Sequence, residues 1–176
     1  MKDLYEKFAY DYDEFGAIEE YLGNEKTFLN IIFSEHGVKN ILDCACGTGQ
    51  HLLMLAQSGY NVWGSDYSNS MLEVAHKNLQ KRGYNIPLHQ CDFRFLEQEF
   101  DITFDAIVCL TNSLPHLHTE EDLLTAIRSM KNRLNKGGLN LYHFSPRKRA
   151  GGFAQKVAVS NGAKRTFEIS KFQRRL

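Results

Sequence analysis

Residues 41–50 read Ile41-Leu42-Asp43-Cys44-Ala45-Cys46-Gly47-Thr48-Gly49-Gln50. An apolar pair closes on an acid, two glycines follow, and from Leu52 to Ala56 the chain takes up helical spacing. This is the pattern of a buried parallel strand feeding a turn whose glycines let the backbone approach a bound group. The next apolar run, Tyr60 to Ser65, closes on Asp66, where a carboxylate can accept both hydroxyls of a ribose. A nucleoside-containing ligand is the expectation.

The turn differs from a dinucleotide fingerprint, which is G-x-G-x-x-G with a third glycine for close helix packing. Here the third position beyond Gly49 is Leu52, and an acid stands before the turn. LDCACGTGQ instead resembles motif I of the class I S-adenosylmethionine-dependent methyltransferases. The resemblance implies that Asp43, Cys44, Ala45, Gly47 and Gly49 wrap the amino acid end of that cofactor. Asp66 then holds the ribose, with Tyr67 and Met71 following it on the cofactor side. Read from its residues alone, Asp66 also serves as an acid at the entry of the next helix, and Asp43 as a partly buried acid satisfied by turn amides.

Outward from this stretch, strand and helix signals alternate as in a parallel sheet covered on both faces. Strands are expected at Val38 to Cys44, Tyr60 to Ser65, Ile86 to Cys91, Phe104 to Leu110 and Leu139 to Phe144. Helices are expected at Thr48 to Ser58, Ser68 to Arg82 with Ser68 as N-cap, and Thr119 to Leu134. Gly83 ends the second helix, and Gly137 with Gly138 the third. The expected architecture is an α/β Rossmann-like class I methyltransferase fold. It divides into a helical cap over residues 1–37, a cofactor-binding core over 38–146 and a lid hairpin over 147–176.

In an open sheet of this kind ligands bind beyond the carboxyl ends of the strands. After the third strand, Cys91-Asp92-Phe93-Arg94-Phe95 places Cys91 beside a carboxylate able to accept the exocyclic amine of adenine and an aromatic ring able to pack on the base. Phe93 reads equally as a core aromatic. After the fourth strand stands LTNSLPHLHTEED, and here FDAIVCLTNSLPHL is similar to the corresponding segment of the glycine and sarcosine N-methyltransferases, as is CDFRFL. The similarity runs from about Val38 to Leu141. It implies a main-chain contact from Leu110 to the cofactor, a substrate-facing amide at Asn112, and Ser113 and His116 beside the line of methyl transfer. Asn112 and Ser113 before Pro115 are also a reasonable turn and helix entry, and His116 also suits a hydrogen-bonding role behind the site.

Two departures from that family concern the acceptor and the chain's end. Glycine-type enzymes close strand five with an arginine that clamps the substrate carboxylate, whereas Phe144 takes that place here, and Arg147, Lys148 and Arg149 read either as a replacement or as a solvated loop. KVAVSNGAKRTFEISKF then alternates around Asn161-Gly162, a hairpin signal resembling the family's lid strands, and the closing strands of the fold are expected to be missing. An uncovered edge beside strand five would invite a hairpin or a second copy of the chain, so a homo-oligomer is one expectation. The N-terminal segment is expected to fold over the cofactor, with Tyr12 or Lys26 meeting its carboxylate.

Composition narrows the partners. The chain has 176 residues, 43% of them hydrophobic and 24% charged, which suits one globular core. Lys and Arg number 21 and Asp and Glu 21, giving no basic field for nucleic acid and none for an anionic membrane. No apolar run approaches the roughly 20 residues that span a bilayer, and the N-terminus lacks an apolar signal core, so the cytoplasm is the expected location. Cys44, Cys46, Cys91 and Cys109 lack zinc-site spacing and read as reduced packing residues, with no metal expected. The leading expectation is methylation of a small amine. A cofactor-binding module with little catalysis and a macromolecular methyltransferase are the alternatives, the latter disfavoured by TNSLP where an N/D-P-P-Y signature would stand.

Overall fold

The structure is a computed structural model and describes residues 18–110, 113–144, 156–160 and 164–168, with side chains described over 25–110 and 113–142. Elements alternate in the expected order. They are α1 (Ile18–Glu35), β1 (Asn40–Asp43), α2 (Gln50–Gln57), β2 (Asn61–Asp66), α3 (Asn69–Lys81), β3 (Leu88–Gln90), β4 (Phe104–Cys109), α4 (Glu120–Asn132), β5 (Leu134–Phe144), β6 (Lys156–Ser160) and β7 (Lys164–Glu168). Two 3-10 helices, Phe93–Gln98 and Leu114–His116, occupy the loops after β3 and β4.

The sheet order is β3-β2-β1-β4-β5-β6-β7, with β1 to β5 parallel to one another. Strand order reverses between β1 and β4, which opens the crevice in which an open α/β sheet takes its ligand. The period-2 alternation of side chains splits the core into two layers. Ile41, Ala106, Val108, Leu139 and Leu141 point to one layer, closed by Phe28, Leu29, Leu52, Leu55, Leu72 and Leu79 of α1, α2 and α3. Leu42, Cys44, Ile107, Cys109 and Tyr142 point to the other, closed by Leu96, Phe100, Ala126 and Met130. Strands buried on both faces have no polar face to show, which is why β1 and β4 read as apolar runs.

Caps follow the sequence closely. The Ser68 hydroxyl accepts from the Met71 amide at 3.3 Å and Thr119 from the Asp122 amide at 3.1 Å, each satisfying a donor that a helix start leaves unpaired. The end of α4 is a correction: the helix stops at Asn132, and Gly137 and Gly138 lie inside β5, where pairing shifts from Phe104↔Leu134 to Ala106↔Leu139. Gly138 sits there because a Cβ would meet the Asn135 and Asp105 carbonyl oxygens at 3.0 Å.

The hairpin around residues 161–163 is present as β6 and β7, and it joins the sheet. β6 runs antiparallel to β5, with Leu141↔Val159 and His143↔Val157 paired, so the hairpin covers the edge of β5 that an open sheet would expose. Among the described residues no strand follows β7. No helix of the described residues is long and apolar enough to cross a membrane.

Candidate functional site

The glycine turn after β1 is held from three sides. Its Cys46 amide donates to the Ser65 carbonyl at 2.9 Å, its Gly47 amide to Asp66 Oδ2 at 2.9 Å, and Asn78 Nδ2 of α3 to the Thr48 carbonyl at 3.1 Å. Both glycines adopt left-handed backbone, with φ of 53° at Gly47 and 84° at Gly49. A Cβ at Gly49 would meet the Ala75 Cβ at 3.2 Å, so this glycine also lets α3 approach. A Cβ at Gly47 would meet nothing within 4 Å, so this side of the turn is open to a ligand.

Asp66 spans the turn and the following helix. Its Oδ2 accepts from Gly47 and its Oδ1 from the Ser68 amide at 2.9 Å, while Ser68 itself is the cap of α3. A carboxylate has about four acceptor positions, so hydroxyls can be received in addition to these two amides. Tyr67, beside it, is exposed, while Met71 one turn on is buried. Met71, expected on the cofactor side, has its side chain within the core.

Asp43 is 1% exposed. Its Oδ1 accepts from the Ala45 amide at 3.2 Å, whereas Oδ2 is buried without a hydrogen-bond partner. Burial raises its carboxyl to about 6, with His51 and the Ala45 amide opposing and Asp66 and Glu25 reinforcing the rise. An acid raised by folding favours the fold most when protonated: that contribution is complete below its ordinary value near 3.8 and is lost as pH rises through about 6. Asp43→Asn without ligand is therefore expected to be more stable than the parent at pH 8, by on the order of 1–3 kcal/mol, and to converge with it toward pH 4. Chemical denaturation at the two pH values measures this, and equal gains at both would show that charge is not the cause.

Glu25 and His51 were not singled out from the sequence. Glu25 is 2% and His51 7% exposed, and Glu25 Oε2 lies 3.0 Å from His51 Nε2. The available signal was an acid four residues before Leu29 on the apolar face of α1, and a histidine beside Leu52 on the apolar face of α2. Burial pushes the His51 imidazole down, but the hydrogen bond to Glu25 and the charges of Glu25 and Asp43 outweigh it and raise the imidazole above its ordinary value.

After β3, Asp92 caps the first 3-10 helix through the Arg94 amide at 2.9 Å. The Arg94 guanidinium grips both Asp92 oxygens, at 2.6 Å for the shortest contact, and reaches Asp122 Oδ1 of α4 at 2.5 Å. Asp92 thus faces Arg94 first, and a base amine would share its remaining acceptor positions. Phe93 is half-buried against the second core layer and Cys91 is buried. Cys44 and Cys109 are buried on adjacent strands, and all four cysteines are free.

Beyond β4, Leu110 is buried and its carbonyl accepts from the Ser113 hydroxyl at 3.3 Å. His116 ends the second 3-10 helix and is exposed. Asn112 lies outside the described residues, as do Tyr12 and the segment 147–149. Tyr142 pairs with Cys109 across β4 and β5, and burial pushes its phenol up to about 12, so at neutral pH it can donate a proton and cannot serve as a base.

An acceptor-rich turn with an unpartnered buried carboxylate oxygen, an open face at Gly47 and a carboxylate at the end of β2 fits the amino acid and ribose portions of S-adenosylmethionine. The comparisons agree in kind. The chain is 36% identical over 115 residues to a glycine/sarcosine N-methyltransferase of Parasynechococcus marenigrum, covering 65% of this chain and 41% of the relative. It is 31% identical over 139 residues to another of that description from Aphanothece halophytica, covering 79% and 52%. The chain therefore spans about half the length of the curated relatives it matches, or less. A crystal structure of an S-adenosylmethionine-dependent methyltransferase from Clostridium acetobutylicum shares the fold, with a TM-score of 0.66 at 21% identity over 94% of this chain and 79% of that one. Residues 41–138, more than half of the 176, match the family described as a methyltransferase domain, and to that family the chain belongs.

Proposed function

We propose that the chain binds S-adenosylmethionine in the crevice between β1 and β4 and methylates a small amine, with glycine and sarcosine among the candidate acceptors. The observation that carries the cofactor reading is the turn itself: Asp43, Gly47, Gly49 and Asp66 converge, and Asp43 keeps a buried oxygen without a donor. Asp66 would receive the ribose hydroxyls, Phe93 and Asp92 the base, and the Leu110 main chain the amino acid end. The acceptor reading draws on the relatives described as glycine/sarcosine N-methyltransferases.

The cofactor supplies an activated methyl on a sulfonium, so the chain's own task is to orient, desolvate and polarise. An amine lone pair must arrive unprotonated, a condition solvent can meet before binding. Asn112 and His116, after β4, would hold the acceptor. Phe144 stands where glycine-type enzymes carry their carboxylate clamp, which widens the acceptor class beyond glycine.

S-adenosylmethionine and its demethylated product are expected to bind at micromolar concentrations, and nicotinamide dinucleotides not to bind. Tighter calorimetric binding of NAD than of either sulfur nucleoside would sink the cofactor reading. Binding without methyl transfer across a broad amine panel would leave that reading standing and remove the acceptor.

A further inference from the structure

The Glu25–His51 pair is buried beside the glycine turn and has no part in the contacts assigned above. Burying two charged groups is costly unless each gains something, and a pair that only joined two helices could be apolar. This one is also incomplete, because Glu25 Oε1 and Asp43 Oδ2 are both buried without a donor. Two acids therefore act on one imidazole, Glu25 from α1 and Asp43 from the end of β1, and Asp66 from the end of β2 acts in turn on Asp43. The other titratable groups nearby are the buried thiols of Cys44 and Cys46, which stay neutral because burial raises both.

We infer that Glu25 is a positioning residue for cofactor binding, which through its 3.0 Å contact fixes a charged His51 imidazole beside Asp43 and so prepares the glycine turn for a cationic ligand. The argument is one of ordering. A buried carboxylate takes up a proton unless a positive charge stands close. Asp43 must be ionised to receive a ligand bearing an ammonium and a sulfonium, and the largest charge influence opposing its protonation is His51, which outweighs the contrary effect of Glu25. His51 in turn is buried, which favours its neutral form, and the hydrogen bond and charge of Glu25 are the largest influences that oppose this. Glu25 thus acts on the ligand through His51 and then Asp43, and α1 is tied into the site by a charge as well as by Phe28 and Leu29.

The inference rests on the cofactor reading, and its test separates the two. Imidazole resonances of His51 in the full chain, followed by NMR without cofactor, are expected to show a charged ring at pH 7. A neutral ring there overturns the inference, whatever any variant does. In calorimetry between pH 5 and 8.5, S-adenosylmethionine affinity of the parent is expected to fall on the acid side. Glu25→Gln should move that limb up by about one pH unit, making binding about tenfold weaker on the limb and little changed at pH 8.5. Asp43→Asn should abolish the limb. A Glu25→Gln loss equal at every pH, or an Asp43→Asn limb left in place, overturns the inference by reducing the pair to a structural contact. Should Glu25→Gln fail to fold, His51→Gln reads the same limb. A parent that binds no S-adenosylmethionine at any pH overturns the cofactor reading, while binding with an unmoved limb overturns the positioning role alone.

Discussion

Asp66→Ala is expected to weaken S-adenosylmethionine binding by about 2–4 kcal/mol, on the order of 30- to 1000-fold, while leaving the sheet intact. The proposed role is to accept two ribose hydroxyls in charge-assisted hydrogen bonds, which alanine cannot replace. Asp66 also receives the Gly47 and Ser68 amides, so alanine loosens the glycine turn as well. Asp66→Asn separates these effects: its one carbonyl oxygen can keep one amide, and its binding is expected to fall between parent and alanine variant. Calorimetry measures both, with circular dichroism and melting as the check on folding. If Asp66→Ala binds like the parent and melts normally, the acid is only a brace between β2 and α3, and the ribose role is wrong.

The turn after β1 was legible because its requirements are local. Left-handed backbone at Gly47 and Gly49 and an acid closing each of β1 and β2 leave marks on neighbouring residues. The cap Ser68 was legible for the same reason: a hydroxyl before an apolar-periodic run has one common use. What stayed hidden depends on pairs far apart in sequence. Glu25 finds His51 across 26 residues, and Arg94 finds Asp122 across 28. Each partner alone reads as an ordinary surface charge, and only the packing of α1 on α2, or of the 3-10 helix on α4, shows otherwise. The Gly137–Gly138 pair misled because a double glycine after an apolar helix usually ends it. Here the helix had already stopped, and the close carbonyls of Asp105 and Asn135 are what require Gly138. The hairpin was readable from Asn161-Gly162, and the edge of strand five was open to it or to a second copy of the chain; alternation says that two strands pair with each other and is silent on which of these takes the edge, which the pairing of β6 with β5 answers.

Asn112→Ala and His116→Ala are expected to depress methyl transfer about 100-fold while changing cofactor affinity by no more than a few-fold. Methyl transfer draws most of its acceleration from holding the acceptor in line, and misplacement by about 1 Å is enough for a loss of that size. The cofactor, by contrast, is assigned mainly to the glycine turn after β1, Asp66 at the end of β2 and the Asp92 loop after β3, with only main chain from Leu110. That segment is suited to positioning: Leu110 is buried, the Ser113 hydroxyl donates to its carbonyl, and the following 3-10 helix ends on the exposed His116. Single-turnover rates with an amine acceptor found in the panel, set beside calorimetric affinity for S-adenosylmethionine, measure the two effects separately. Equal losses in affinity and rate, or no loss in either, would show that the loop after β4 is structural and that the acceptor enters elsewhere.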